Sequence, residues 1–327
     1  MRLPSIRAAL TRWYETAKRD LPWRGTRDAY AIWISEIMLQ QTRVAAVIPY
    51  YEKFLRELPD AAALARAPED RVLTLWAGLG YYSRARNLQK AARQIAAAGA
   101  FPRDYESIRE LAGVGDYTAA AVASIAFDLP HAAIDGNVRR VSARLAGSDD
   151  AADLPHRLLD RAHPGRWNQA MMELGATICL PRNPQCEECP VAKFCEARKR
   201  NAQHEFPARR EKPAALRLKR TLLWIRRGER ILLAPSSRVR GFWDLPEKIP
   251  GARIGAALGE FRHTIVHRHY RFTVHAAKLE KAPPELRWFH PRELEKIPLS
   301  TVAKKALTFV GEAWNRAPER QVGDLPH

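Results

Sequence analysis

Two carboxylates and four thiols are the side chains of this sequence whose settings could support chemistry. Glu36 stands in the apolar stretch AYAIWISEIMLQQTRVAAVIPYY, whose helical pattern runs from Asp28 to about Tyr51. Its neighbours three and four positions away are Ile32, Trp33, Leu39 and Gln40, so the carboxyl emerges from a largely greasy face. A Glu so placed is paired, open to a cleft, or kept protonated by loss of water. Burial raises a carboxyl pKa, which is what a general acid at neutral pH requires. Asp135 lies just before a basic segment that turns helical near Val138. Taken alone, an Asp there is more often an N-cap, and Glu36 a residue on the rim of an amphipathic helix.

The four cysteines all fall within residues 179–195, separated by six, two and five residues. In a reducing compartment such clustering points to metal and not to disulfides. Four thiolates this close can hold a tetrahedral zinc or a 4Fe–4S cube. Zinc sites more often pair two short knuckles, and the single short spacing favours iron–sulfur.

These groups need elements to position them. Residues 111–115, Leu-Ala-Gly-Val-Gly, form a tight Gly-x-Gly hairpin ahead of an apolar helix over Thr118–Phe127. Gly113 and Gly115 let the chain turn sharply, and they leave backbone N–H groups bare beside a helix N-terminus. That arrangement suits a phosphate. A short turn at Leu129-Pro130 then delivers Asp135. Residues 52–110 read as helices broken at Pro59, Pro68 and Gly99 to Pro102. Within them, residues 76–86 gather two tyrosines, two arginines and two glycines at a junction that suits a loop meeting DNA.

The totals agree. The 327 residues carry 54 Lys plus Arg against 36 Asp plus Glu, a net charge of +18, which points to a polyanion. No apolar run approaches the ~20 residues of a membrane span, and the N-terminus is too charged for a secretory signal. The expected location is cytoplasmic, nucleoid-associated in a bacterium. Past Cys195 a basic, Pro-containing linker gives way to strand patterns: Thr221–Arg226 and Arg230–Ala234 flank a hairpin turn. Tyr270, Phe272 and Val274 alternate with polar residues, and a helix from about Ser300 to Val310 closes the domain.

Together these stretches resemble the MutY-type adenine DNA glycosylases of the helix-hairpin-helix superfamily, which also contains endonuclease III. The matching segments are LPWR at 21–24, WISEIMLQQT at 33–42, GLGYYSRARN at 78–87, LAGVGDYTA at 111–119, IDGNVRRV at 134–141 and MMELGATIC at 171–179. The resemblance implies a mostly α catalytic region, a helix-hairpin-helix glycosylase fold with an iron–sulfur module, plus a smaller α+β Nudix-like C-terminal domain. It places the glycosylase domain over 1–200, with a six-helix module at 26–134 and a cluster module made of 1–25 with 135–200. A basic linker at 201–219, a lesion-recognition domain at 220–314 and a tail at 315–327 follow. It implies one 4Fe–4S cluster on Cys179, Cys186, Cys189 and Cys195.

By the same resemblance, Glu36 protonates the adenine ring and Asp135 stabilises the sugar cation. Asn137, Arg139, Arg140 and a helix N-terminus are expected to keep Asp135 ionised, and Tyr117 and Asn137 to stand around it. Arg19, Leu21, Trp23, Arg24 and Glu173 form the pocket for the extruded adenine. Gln41 and Tyr81 insert near the orphaned base, Thr42, Leu79 and His267 also bind DNA, and Gly113, Val114 and Gly115 grip phosphate. Tyr117 stands where endonuclease III has its lysine, which implies a monofunctional enzyme that leaves an abasic site. The implied substrate is duplex DNA with A opposite 8-oxoguanine or G, bound by a monomer.

The C-terminal segment at 231–247 resembles a Nudix-like module. The stretch after it supplies only Glu260, so the module should bind and not hydrolyse. The family's Phe-Ser-His loop matches Ile265-Val266-His267, which keeps the His and loses the hydroxyl donor. Two other functions fit the residues less well: a same-fold glycosylase with another mispair preference, and a non-catalytic iron–sulfur DNA-binding protein.

Overall fold

A computed structural model describes residues 3–208, 214–265 and 267–316. The chain divides into two compact units, the first made of 1–67 and 87–211, the second of 68–86 and 212–327. Val266 of the expected lesion loop, residues 209–213 of the linker and 317–327 of the tail lie outside the described residues.

The helices in chain order are α1 (Leu3–Ala17), α2 (Ala29–Leu39), α3 (Val44–Glu57), α4 (Ala61–Arg66), α5 (Glu69–Trp76) and α6 (Ser83–Ala98). Then come α7 (Tyr105–Arg109), α8 (Asp116–Phe127), α9 (Gly136–Ala146), α10 (Leu154–Leu158), α11 (Pro164–Thr177) and α12 (Glu196–Lys199). In the first unit, α2 is buried along its whole length except at Leu39, and it packs on α8. The run Ala119–Ala123 has only one side chain larger than a methyl, Val122, which lets the two helices approach closely. A second core joins Ile6, Leu10 and Tyr14 of α1 to Val138 and Val141 of α9 and Trp167, Met171 and Leu174 of α11.

The expected hairpin is present, with Gly113 at φ 78 and its missing Cβ 2.6 Å from Asn87 Cβ. Only glycine meets both demands, a left-handed backbone and no side chain. One sequence expectation needs correcting: the single pattern from Asp28 to about Tyr51 is two helices, broken at Gln40–Arg43. Gln40 turns extended (ψ 114) and Gln41 is left-handed (φ 57), and apolar periodicity cannot register a backbone reversal of that length.

In the second unit, strands β1 (Leu216–Arg227), β2 (Arg230–Pro235), β3 (Trp243–Asp244), β4 (Arg253–Ile265) and β5 (Arg268–Lys278) form a mixed sheet in the order β3-β2-β1-β5-β4. β6 (Arg287–Phe289) pairs with β2, and β1 runs parallel to β5. Gly228 at φ 59 makes the expected β1–β2 turn. Helix α13 (Thr301–Arg316) covers one face through Val302, Ala303 and Ala306. It is capped by Ser300, whose Oγ accepts from Ala303 N at 3.0 Å.

Candidate active site

A cavity of about 1700 Å³ opens in the first unit and admits both expected carboxyls: Glu36 from α2 and Asp135 from the start of α9. Glu36 is 5% exposed, and its Oε2 accepts from the Tyr117 hydroxyl at 2.6 Å. Burial pushes its carboxyl up to about 7; the Tyr117 hydrogen bond pulls it down and the charge of Asp135 raises it further. A carboxyl half-protonated near neutrality can donate a proton to a leaving group. Tyr117 therefore engages Glu36 by hydrogen bond, while Asp135 is near enough to raise its phenol further. Met172 Sδ lies 3.2 Å from the same hydroxyl.

Asp135 caps α9: Oδ1 accepts from Val138 N at 2.7 Å and Oδ2 from Asn137 Nδ2 at 2.9 Å. Asn137 is held by Arg140 Nη2 at 2.8 Å, and Arg140 Nε in turn donates to Cys179 O at 2.9 Å. Of the groups expected to keep Asp135 ionised, Asn137, Arg140 and the start of α9 are in place. Burial raises the pKa of Asp135, and the bonds from Val138 and Asn137 and the charge of Arg140 oppose that rise without cancelling it. Arg139, also expected to help, is exposed.

Arg19, Leu21, Trp23, Arg24 and Glu173 all line the same cavity. Glu173, 1% exposed, accepts from Arg19 N at 3.0 Å, from Arg19 Nε and Nη2 at 2.8 Å each, and from Arg24 Nη2. Burial works to raise its pKa, but those bonds bring it down to about 2. Glu173 is thus a fixed anion that orients two guanidiniums. Trp23 stands edge-on to Tyr51 at 5.3 Å. Gln41, Thr42 and Gly115 also reach the cavity, whereas Gly113 and Val114 lie in the hairpin behind it. Leu79, Tyr81 and His267 belong to the second unit. There Leu79 is buried, Tyr81 is 45% exposed with φ 48, and His267 is exposed. Two lining residues went unnoticed in the sequence: Tyr105 and His131, stacked 4.3 Å apart at 9°. Nothing in the spacing of residues 26 apart could flag them.

Cys179, Cys186, Cys189 and Cys195 are unpaired thiols that line one small cavity with Arg144, Arg198 and Gln203. Among the described residues no group of His, Cys, Asp or Glu gathers tightly enough for a single ion. Four cysteines that line one small cavity supply the ligand set of a 4Fe–4S cube. Arg144, 3% exposed, donates to Cys179 Sγ at 3.4 Å and to Leu180 O at 2.7 Å, and Gln203 donates to Cys186 Sγ at 3.5 Å. Cation and N–H donors at the sulfurs suit an anionic cluster. No helix among the described residues is long and apolar enough to cross a membrane.

Residues 34–161 match the model of the HhH-GPD superfamily base excision DNA repair proteins, and 179–195 match the iron–sulfur binding domain of endonuclease III. The chain belongs to the HhH-GPD superfamily. Its cofactor is one 4Fe–4S cluster on the four cysteines. Within the superfamily it is 46% identical over 225 residues to an adenine DNA glycosylase of Rattus norvegicus, covering 62% of this chain and 44% of that one. It is 38% identical over 211 residues to an adenine DNA glycosylase of Buchnera aphidicola subsp. Baizongia pistaciae, covering 61% and 60%. The chain thus spans less than half the length of the rat relative. A solved thermostable thymine-DNA glycosylase matches with a TM-score of 0.57 and 30% identity, over 61% of this chain and 97% of that one. The helical glycosylase fold expected from sequence is therefore present, accompanied by a smaller α+β region.

Proposed function

We propose that this chain is a monofunctional DNA glycosylase that removes adenine opposite 8-oxoguanine or G from duplex DNA, acting as a monomer. The observation that carries the proposal is Glu36, buried with its carboxyl near 7, beside Asp135 in one cavity large enough for a nucleobase. An adenine glycosylase has to protonate a poor leaving group and shelter a developing sugar cation, and two carboxyls in unlike environments meet those demands.

Tyr117 occupies Oε2 of Glu36, which leaves Oε1 to carry the proton toward the cavity. Glu36 gives that proton to the adenine ring, the N-glycosyl bond breaks, and its electron pair leaves with the base. Asp135, oriented by Val138 N and Asn137, faces the resulting cation until water adds to the sugar and gives up a proton that restores the Glu36 carboxyl. The guanidiniums fixed by Glu173 and the flat side chain of Trp23 hold the extruded base. The cluster, when bound, fixes the fold of the cysteine loop. Tyr117 offers no amine, so no Schiff base forms and the backbone stays intact. Gly113 to Gly115 hold phosphate, and Gln41, Thr42, Leu79 and Tyr81 meet the bases.

In the domain over 220–314, lesion reading falls to His267 and Thr264, whose Oγ1 lies 3.3 Å from His269 Nδ1. Such an enzyme works on chromosomal DNA, at the nucleoid in a bacterium. The experiment is single-turnover release from A:8-oxoguanine, A:G and A:C duplexes with borohydride present. Adenine should leave from the first two with no trapped adduct. Adenine retained in all three duplexes, or an adduct in high yield, would refute the proposal.

A further inference from the structure

The sheet of the second unit has two unlike faces. On β1, Leu218, Leu222 and Trp224 join the core beneath α13, while Leu223 and Ile225 point the other way and are covered by Ile249, Leu286 and Trp288. That second covering stops halfway. Further along the same face, Arg217, Lys219, Arg262, Thr264, His269 and Arg271 are all exposed. Register sets Lys219 directly across from Arg271, and Arg271 directly across from Arg262. Three cations thus stand in one row over three strands, with Arg217 beside His269 in the next row.

Like charges set opposite one another weaken a sheet. The ion pair on this face among the described residues, Arg271 to Glu260 at 3.6 Å, joins side chains about half exposed and offsets little. A face kept merely soluble would alternate its signs. Its excess of positive charge also opposes pairing with a second copy. The surface that would relieve the repulsion is a regular row of anions.

We propose that this bare half-face of β1, β5 and β4 is a second nucleic-acid grip that holds phosphates of duplex DNA without reading bases. The identity of the occupant rests on the glycosylase function proposed above. The grip rests on the strand cations Lys219, Arg262 and Arg271, which are distinct from Thr264 and His267, the residues assigned to lesion reading.

The test uses the full chain with Lys219→Ala, Arg262→Ala and Arg271→Ala combined, titrated with undamaged duplex over a range of salt. The slope of log Kobs against log salt should become shallower by about 0.9 for each phosphate the variant no longer neutralises. Single-turnover release at saturating enzyme should be unchanged, and thermal stability equal or higher because repulsion is removed. A companion that keeps the charge, Lys219→Arg with Arg262→Lys and Arg271→Lys, should retain the slope. An unchanged slope in the alanine variant overturns the proposal, and so does an equal loss in the charge-keeping one. Adenine release that is absent while the slope shifts refutes the glycosylase function alone. Normal release with a fixed slope refutes the grip alone.

Discussion

At the scale of single residues, the proposed reaction turns on the protonation of Glu36. Its carboxyl is raised to about 7, chiefly by burial, so the proton-bearing form declines as pH rises through neutrality. Single-turnover adenine release should therefore fall on the alkaline side of about 7, and a rate independent of pH from 6 to 8, with chemistry limiting, would refute the assignment. Glu36→Gln should lose about 10²–10⁴-fold in rate and keep its affinity for DNA. The same shift bears on stability. The folded protein holds this proton more tightly than the unfolded chain, so the contribution is full below about 4.5 and is lost as pH rises to about 7. Tyr117 separates a structural from an electrostatic role. Its hydrogen bond favours the ionised Glu36, so Tyr117→Phe should move the alkaline limb to higher pH; a limb that stays put while the rate falls would leave Tyr117 a packing role only. The sequence made Glu36 visible because an acid is conspicuous in an apolar helix. It could not reveal that Tyr117 pairs with Glu36, a contact spanning 81 residues. The N-cap at Asp135 was legible from an Asp placed just before a helix; its link through Asn137 and Arg140 to Cys179 O was not.

At the scale of elements, close helix contacts hold the two carboxyls in register. A Cβ at Gly175 of α11 would lie 2.6 Å from Asn137 Cβ in α9, and Gly175 O is also an acceptor for Arg140 at 2.7 Å. Gly175→Ala should force the helices apart at a cost of about 1–3 kcal/mol. In a unit of this size that lowers Tm by about 2–4 °C per kcal/mol, measured by calorimetry. Gly136→Ala, where nothing lies within 4 Å, is the control and should leave Tm nearly unchanged. The cysteine loop is held differently. Residues 180–195 have short turns and one three-residue helical turn in place of a regular element, so the cluster supplies much of their order. Cys189→Ser should lose the visible absorbance of the cluster, and protease should then cut within 180–208 before it cuts α2 or α8. Equal resistance with and without the cluster would refute that dependence. Spacing made the four ligands legible in the sequence, because thiols so close in a short loop have few other uses. Arg144, buried under Cys179, was one arginine among many until its acceptors were known.

At the scale of the molecule, chain order and packing order part company. The sequence invites a cut near residue 200, with everything before it counted as one domain. Residues 68–86 pack with the C-terminal sheet instead. Tyr82 lies 4.0 Å from Phe242 ring to ring and 3.3 Å from Thr301 Oγ1 through its hydroxyl. Lys304 Nζ donates to Ala77 O at 2.9 Å, Arg86 Nη2 donates to Arg240 O, and Leu73 borders Gly241. No local pattern announces such pairings, since each joins positions more than 150 apart. The segment they support carries Leu79 and Tyr81, and Tyr81 is held in a left-handed conformation that costs a non-glycine residue about 1–3 kcal/mol. Ending the chain at residue 208 therefore removes more than the C-terminal sheet and α13. It strips the packing from one side of the loop that carries Tyr81, so amide exchange should quicken across 68–86 while α2 and α8 stay protected. Affinity for duplex should fall even where no 8-oxoguanine is present, and the rate at saturating enzyme should fall less than the affinity. If exchange across 68–86 is the same in both chains, the segment stands without the sheet, and the boundary near residue 200 is the right one.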